Sequence, residues 1–221
     1  MRLPWSTRLY HHMRGPNPLH PTVWKGRIPP ITFRRYRESD LDGCVNLYNL
    51  NAWGRFPKLE PSYSTILASG RAYTIVAEKN GGLIAAGSVN YQRAPGFLNR
   101  KAAVLSFGLV HPDHHNEGIG TALVLARLAL LKPSEDYYFV MICAVNKSIG
   151  FYRRLGFQDV AKWKDCEGQE HPVAMLEFLR REIRACRKLL ADQQVIYPND
   201  EELVPLAQSD ERSPAAPSCS P

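Results

Sequence analysis

At 221 residues with 44% apolar content, the chain can bury a full core and fits one domain with extensions better than two domains. Its best apolar run, Ala122 to Leu131, is broken by Arg127 and falls short of the ~20 residues that span a bilayer, and five scattered cysteines (Cys44, Cys143, Cys166, Cys186 and Cys219) offer neither a disulfide framework nor metal-ligand spacing and suit a reducing cytoplasm. The net charge of +7 is uneven, with eight Lys or Arg and no acid in residues 1–37 and six acids against one Arg in 191–221; the basic arm lacks a dense Lys/Arg run, so nucleic-acid binding is not expected.

In chain order, residues 1–30 read as a basic, proline-rich extension. Six prolines oppose the amphipathic helix that a mitochondrial targeting segment would need. Pro29-Pro30 punctuates the entry to a first strand over residues 31–37. Ser39 then offers an N-cap for a helix to about Leu50, with Leu41, Val45 and Tyr48 on one face. A loop over residues 51–61, rich in Gly, Pro and aromatics, leads to a short helix ending near Gly70. Residues 72–78 and 83–91, joined by Asn80-Gly81-Gly82, predict a hairpin. Residues 102–110, bounded by His111-Pro112, suit a central buried strand.

The helix predicted over residues 118–131 is apolar on nearly every side and should pack against a sheet. Residues 137–145 read as a second buried strand, followed by a short helix from Asn146 to Leu155 that Gly156 closes. Strands are expected at 157–164 and 173–179, then a helix at 180–191. Residues 192–221 form an acidic tail whose Ser/Pro/Asp-rich part from Gln208 reads as disordered. The core domain is placed at residues 31–179.

The strongest chemical signal runs Leu109-Val-His-Pro-Asp-His-His-Asn-Glu-Gly-Ile-Gly-Thr121, a buried strand entering a glycine-bearing turn and then a helix. Such a turn gathers backbone N–H groups at the positive helix end, and glycines at 118 and 120 let an anion approach closely. The pattern is not a Rossmann fingerprint, since Leu123 stands where a third glycine belongs, nor a phosphate-binding Walker loop. His111, His114 and His115 show no matching acidic or cysteine partner for a metal, and Pro112 prevents a helix from placing residues 111 and 115 on one face, so no metal is expected.

The stretch His115-Asn-Glu-Gly118-Ile-Gly120 resembles motif A of the GNAT superfamily of acetyl-CoA-dependent N-acetyltransferases, with His115 where the family has Gln or Arg. The stretch Ala144-Val-Asn146 through Tyr152 to Leu155-Gly156-Phe157 resembles its motif B. The resemblance covers residues 31–179 and implies an α/β (α+β) fold: a mixed, mainly antiparallel sheet with a parallel pair at the cofactor cleft, flanked by helices. It implies acetyl-CoA as co-substrate, its diphosphate on the main-chain amides of His115, Asn116, Gly118, Ile119, Gly120 and Thr121, and its pantetheine arm on Leu109, Val110 and Asn146. Tyr152 would be the general acid facing the sulfur.

The acceptor would be a primary amine of a small molecule or protein, selected by the loop over residues 51–63 with Trp53, Phe56 and Tyr63 and by the acidic turn over 165–172. The strand before motif A carries no acid or histidine, so the general base is unassigned; Glu60, a water chain or an amine of low pKa are the options. A cytoplasmic enzyme, compatible with a homodimer, is the expectation. The competing reading is a GNAT-fold sensor or interaction module that binds coenzyme A without catalysis.

Overall fold

The computed structural model describes residues 28–52, 60–70, 72–93, 101–131, 137–145, 147–164 and 168–198. Asn80 and Gly81 take φ values of 54° and 79°, the left-handed pair that a tight hairpin turn requires. They join strand β2 (Tyr73–Lys79) to β3 (Gly82–Arg93) in antiparallel register. β1 (Phe33–Arg35) pairs with the outer side of β2, and β4 (Lys101–Val110) with the other side of β3. After β4 come helix α3 (Ile119–Ala129), strand β5 (Tyr137–Cys143), helix α4 (Ile149–Arg154), and strands β6 (Gln158–Lys164) and β7 (Glu170–Leu179). The sheet has seven strands in the order β1-β2-β3-β4-β5-β7-β6, and every neighbouring pair is antiparallel except β4–β5. This is the mixed α/β architecture, with its parallel pair, that the sequence implied.

Alternation along the strands gives the sheet two apolar faces. Ile75, Ala103, Val140 and Leu176 belong to the core shared with α3 and with α5 (Arg180–Asp192). Val76, Ala86 and Leu109 meet α1 (Leu41–Ala52) and α2 (Glu60–Ala68) in a second cluster. Ile119 and every residue from Thr121 to Ala129 are buried, which explains a helix with no polar side. Full burial of a leucine such as Leu123, Leu125 or Leu128 contributes about 1.5–3 kcal/mol. α5 turns Ile183, Cys186, Leu189 and Leu190 inward, and Arg187 closes the far end of α3 by donating to the carbonyls of Ala129 (2.8 Å) and Leu131 (3.3 Å). The chain then returns to β1, where Ile196 accepts from Phe33 N (2.7 Å) and donates to Ile31 O (2.9 Å).

Three local expectations are corrected. Ser39 is not an N-cap but lies inside a 3-10 turn, Glu38–Asp40, closed by Asp40, whose carboxylate accepts from Arg37 N (2.7 Å) and from both terminal nitrogens of Arg34 (2.7 and 2.8 Å). That clamp leaves Cys44, Leu47 and Tyr48 as the buried face of α1, with Leu41 and Val45 only half-buried. The β5 strand stops at Cys143 and α4 begins at Ile149, because a turn held by the Ser148 and Ile149 amides on Val145 O precedes the helix.

Candidate active site

β4 and β5 are paired only from Ala102↔Phe139 to Val104↔Met141, after which they diverge. From residue 105 to 110, β4 keeps β3 on one side and has no partner strand among the described residues on the other. Its register against β3 slips between Ala86 and Ser88, so Phe107 and Gly108 face the single residue Gly87 as a bulge. Phe107 adopts φ 48°, a left-handed conformation that costs a bulky residue about 1–3 kcal/mol. Its ring is anchored against Tyr63, centroid to centroid 4.5 Å, and Tyr48, 6.5 Å. Packing behind the sheet therefore holds a kinked, half-paired strand open in front.

The strand leads into the glycine turn. Asn116 and Gly118 both take positive φ, 67° and 82°, and α3 starts at Gly118 without a side-chain cap. The amide of Ala122 bonds to Gly118 O (3.0 Å), and the N–H groups of Ile119, Gly120 and Thr121 precede this first intrahelical donor. These donors and the positive end of the helix dipole form a site suited to an anion. A Cβ on Gly120 would stand 3.7 Å from Phe151 Cζ and 3.9 Å from Val110 Cγ2, ordinary contact distances. The protein's own packing thus does not demand glycine there. The neighbouring imidazoles are engaged elsewhere: His115 Nε2–H donates to Val110 O (2.9 Å), and His114 Nδ1 meets Glu117 (3.1 Å). Asn51 also donates to Val110 O (3.1 Å) and to Leu47 O (2.8 Å), tying α1 to the strand end.

Tyr152, on α4, packs its ring edge-on against Phe151 (5.0 Å) and Phe157 (5.6 Å). Its hydroxyl lies 3.1 Å from where a Cβ on Gly108 would be. Any side chain at 108 would meet that oxygen, so glycine there lets the tyrosine reach the bulge. Beside it is Arg127, which the sequence reading treated only as a break in an apolar run. Arg127 is 1% exposed, donates from Nε to Leu123 O (3.2 Å) and from a terminal nitrogen to Ser106 O (3.3 Å), and converges with the Tyr152 hydroxyl on the space in front of Gly108. Burial pushes its pKa down while the Tyr152 hydroxyl pulls the other way. Among the described residues no carboxylate is within ion-pairing distance of it. The available signal was a single arginine in a helix with no polar face for it to occupy.

Leu109 and Val110 end β4, His115, Asn116 and Gly118 belong to the turn that follows, Ile119, Gly120 and Thr121 begin α3, and Tyr152 on α4 reaches Gly108 of the same strand, whereas Asn146 lies outside the described residues, as do Trp53, Phe56, Asp165 and Glu167. Tyr63 closes the core: it is fully buried, its ring is stacked on Tyr48 (5.3 Å), and burial raises its pKa. Glu170 is engaged by Lys162 (2.8 Å). A groove of about 460 Å³ crosses β6 and β7, but its charged groups are paired as Arg153–Asp159 and Lys162–Glu170. Among the described residues, no group of three or more His, Cys, Asp or Glu could hold a metal, and no helix is long and apolar enough to cross a membrane.

The comparisons converge on this geometry. Residues 70–159, which contain the hairpin, the splayed pair, the glycine turn and Tyr152, match the family model of the acetyltransferase (GNAT) domain. Among solved structures the chain is similar to a protein assigned to the GNAT acetyltransferase family from Desulfovibrio desulfuricans, at 17% identity and TM-score 0.54 over 66% of this chain and 98% of that one. It is also similar to an aminoglycoside 6'-N-acetyltransferase complexed with coenzyme A, at 11% identity and TM-score 0.50 over 67% and 96%. A third is an acetyltransferase with acetyl-CoA from Clostridium acetobutylicum, at 16% identity and TM-score 0.50 over 61% and 94%. A search of curated proteins finds no match. The matched segment takes in the glycine turn, β5 and Tyr152, and the solved structures share the fold; over residues 70–159 the chain is similar to GNAT acetyltransferase domains.

Proposed function

We propose that the protein is an N-acetyltransferase that moves the acetyl group of acetyl-CoA to a primary amine by direct attack in a ternary complex. The observation that carries this reading is the Tyr152 hydroxyl beside Gly108, where β4 has parted from β5, on the strand that leads into the uncapped start of α3. The diphosphate fits the amides of residues 115–121, and the unpaired edge of β4 at Leu109 and Val110 suits the amide-bearing pantetheine arm, with Asn146 assigned to the same arm. The neutral amine attacks the thioester carbonyl, backbone N–H groups of the bulged strand stabilise the developing oxyanion, and Tyr152 donates to the departing sulfur. Because β4 contains no carboxylate or imidazole, the amine's proton leaves through solvent or is already absent from an acceptor of low pKa. The reaction needs no metal.

The test has two stages. Calorimetry at low ionic strength should detect binding of coenzyme A and acetyl-CoA to the folded protein; no measurable binding ends the proposal. Thiol release from acetyl-CoA should then appear with at least one of a panel of polyamines, aminoglycosides, amino acids and peptide N-termini. Binding without release for any acceptor would favour a non-catalytic sensor instead.

A further inference from the structure

Resting on that reading, we infer that Arg127 is a positioning residue that aims the proton of Tyr152 into the cleft and stabilises the oxygen when the proton leaves. A guanidinium has five N–H donors and no acceptor. A tyrosine oxygen that faces it can act toward it only as an acceptor, which turns the phenol's own hydrogen away from Arg127. Gly87 and Gly108 make the arrangement feasible from the sheet side. A Cβ on Gly87 would lie 3.1 Å from Arg127 Nε, and one on Gly108 only 3.0 Å from a terminal nitrogen and 3.1 Å from the Tyr152 oxygen. Two glycines facing one another across the bulge thus vacate the volume into which guanidinium and hydroxyl converge. Ser106 O, a carbonyl of the segment that has lost β5 as a neighbour, accepts from the same guanidinium at 3.3 Å.

Leucine or methionine at this position would fill an apolar helix face without burying a charge; an arginine is costly to bury unless its charge is used. Collapse of the tetrahedral adduct breaks the C–S bond and leaves the electron pair on sulfur. The Tyr152 O–H gives its proton to that sulfur, forming free thiol and a tyrosinate that Arg127 neutralises. The proton shed by the acylated amine then returns to the tyrosinate through solvent. Around the guanidinium, β3 presents Gly87, β4 presents Ser106 and Gly108, and α4 presents Tyr152, of which only Tyr152 titrates. His111 and His115 at the end of β4 and Cys143 at the end of β5 are the other titratable groups on the arms of the cleft.

The experiment is an ultraviolet pH titration of the thiol of bound coenzyme A, read as the difference from the complex with sulfur-free desulfo-CoA, in a Cys143→Ser background. Wild type should titrate the bound thiol about one pH unit or more below free coenzyme A, because a hydroxyl donor backed by a fixed cation favours the thiolate. Tyr152→Phe and Arg127→Leu should each abolish that shift, with desulfo-CoA affinity changed by less than about threefold. Arg127→Lys should restore part of it. A wild-type thiol that titrates as in free solution overturns the inference even if Arg127→Leu does not fold. So does an Arg127→Leu protein that keeps both the shift and the turnover, since the arginine would then only plug the bulge. Absence of any coenzyme A binding would instead refute the function proposed above.

Discussion

The two ends of α3 are treated in opposite ways. Its C-terminal carbonyls are closed by Arg187, reaching across from α5 at 2.8 and 3.3 Å. Its N-terminal amides follow a left-handed Gly118 with no cap, although caps are worth about 1 kcal/mol and a Ser, Asp or Asn there would have supplied one. One end is satisfied within the protein and the other is left open, as the proposed diphosphate site requires. The difference teaches that damage at the closed end should appear in stability, and damage at the open end in ligand binding and rate.

The largest effect is expected from Tyr152→Phe, which removes only the hydroxyl beside Gly108. Turnover should fall ~10²- to 10⁴-fold with coenzyme A affinity within about threefold, as measured by steady-state thiol release and calorimetry. Equal losses of affinity and rate would mean that the tyrosine merely shapes the cleft.

Next comes a carboxylate cluster that serves folding alone. Asp40 is buried, and the Arg34 guanidinium, opposed by burial and aided by the Arg37 amide, holds its carboxyl below the usual range. Asp40→Ala should cost about 2 kcal/mol in denaturant melts at neutral pH, since a charge-assisted hydrogen bond contributes roughly 1.5–3 kcal/mol. The folded pKa is depressed, so the stabilisation is full above the unfolded value near ~4 and is lost as pH falls through the lower folded value. The substitution should flatten the acid side of the stability profile and leave coenzyme A affinity intact; an unchanged acid slope would discount the clamp.

Gly118→Ala should be intermediate, forcing a Cβ into φ 82° at a cost of about 1–2 kcal/mol. It should also weaken coenzyme A binding by roughly tenfold through the disturbed amides. If calorimetry finds the stability loss without the affinity loss, the turn is structural. The smallest effect is expected from Arg187→Ala, about 1 kcal/mol by thermal melt with unaltered coenzyme A affinity, and any drop in affinity would erase the distinction between the two ends.

The parts legible in the sequence were those written locally. Asn80-Gly81 announced the hairpin, the all-apolar surface of α3 announced a helix laid on a sheet, and the glycine spacing after Val110 announced the open turn. What escaped was set by contacts between distant elements. Asp40 rather than Ser39 organises the entry to α1, because its partner Arg34 lies on β1. Tyr63 looked like a lining for the acceptor but anchors Phe107 from behind. Arg127 joins α3, the bulge of β4 and α4, and no window of neighbouring residues contains all three.

The return of the chain to Ile196 bears on edge-to-edge pairing of the sheet with other chains. The outer rim of β1 is met by the protein's own backbone, through Phe33 N and the Ile31 carbonyl, so that flank has less to offer a foreign strand. The opposite rim, β6, is guarded differently, by solvent-facing charges including Lys162 and Lys164 that discourage stacking against another chain. Ending the protein at Asp192 should therefore expose only the first rim and raise light scattering on storage, a change that restoring residues 193–198 reverses.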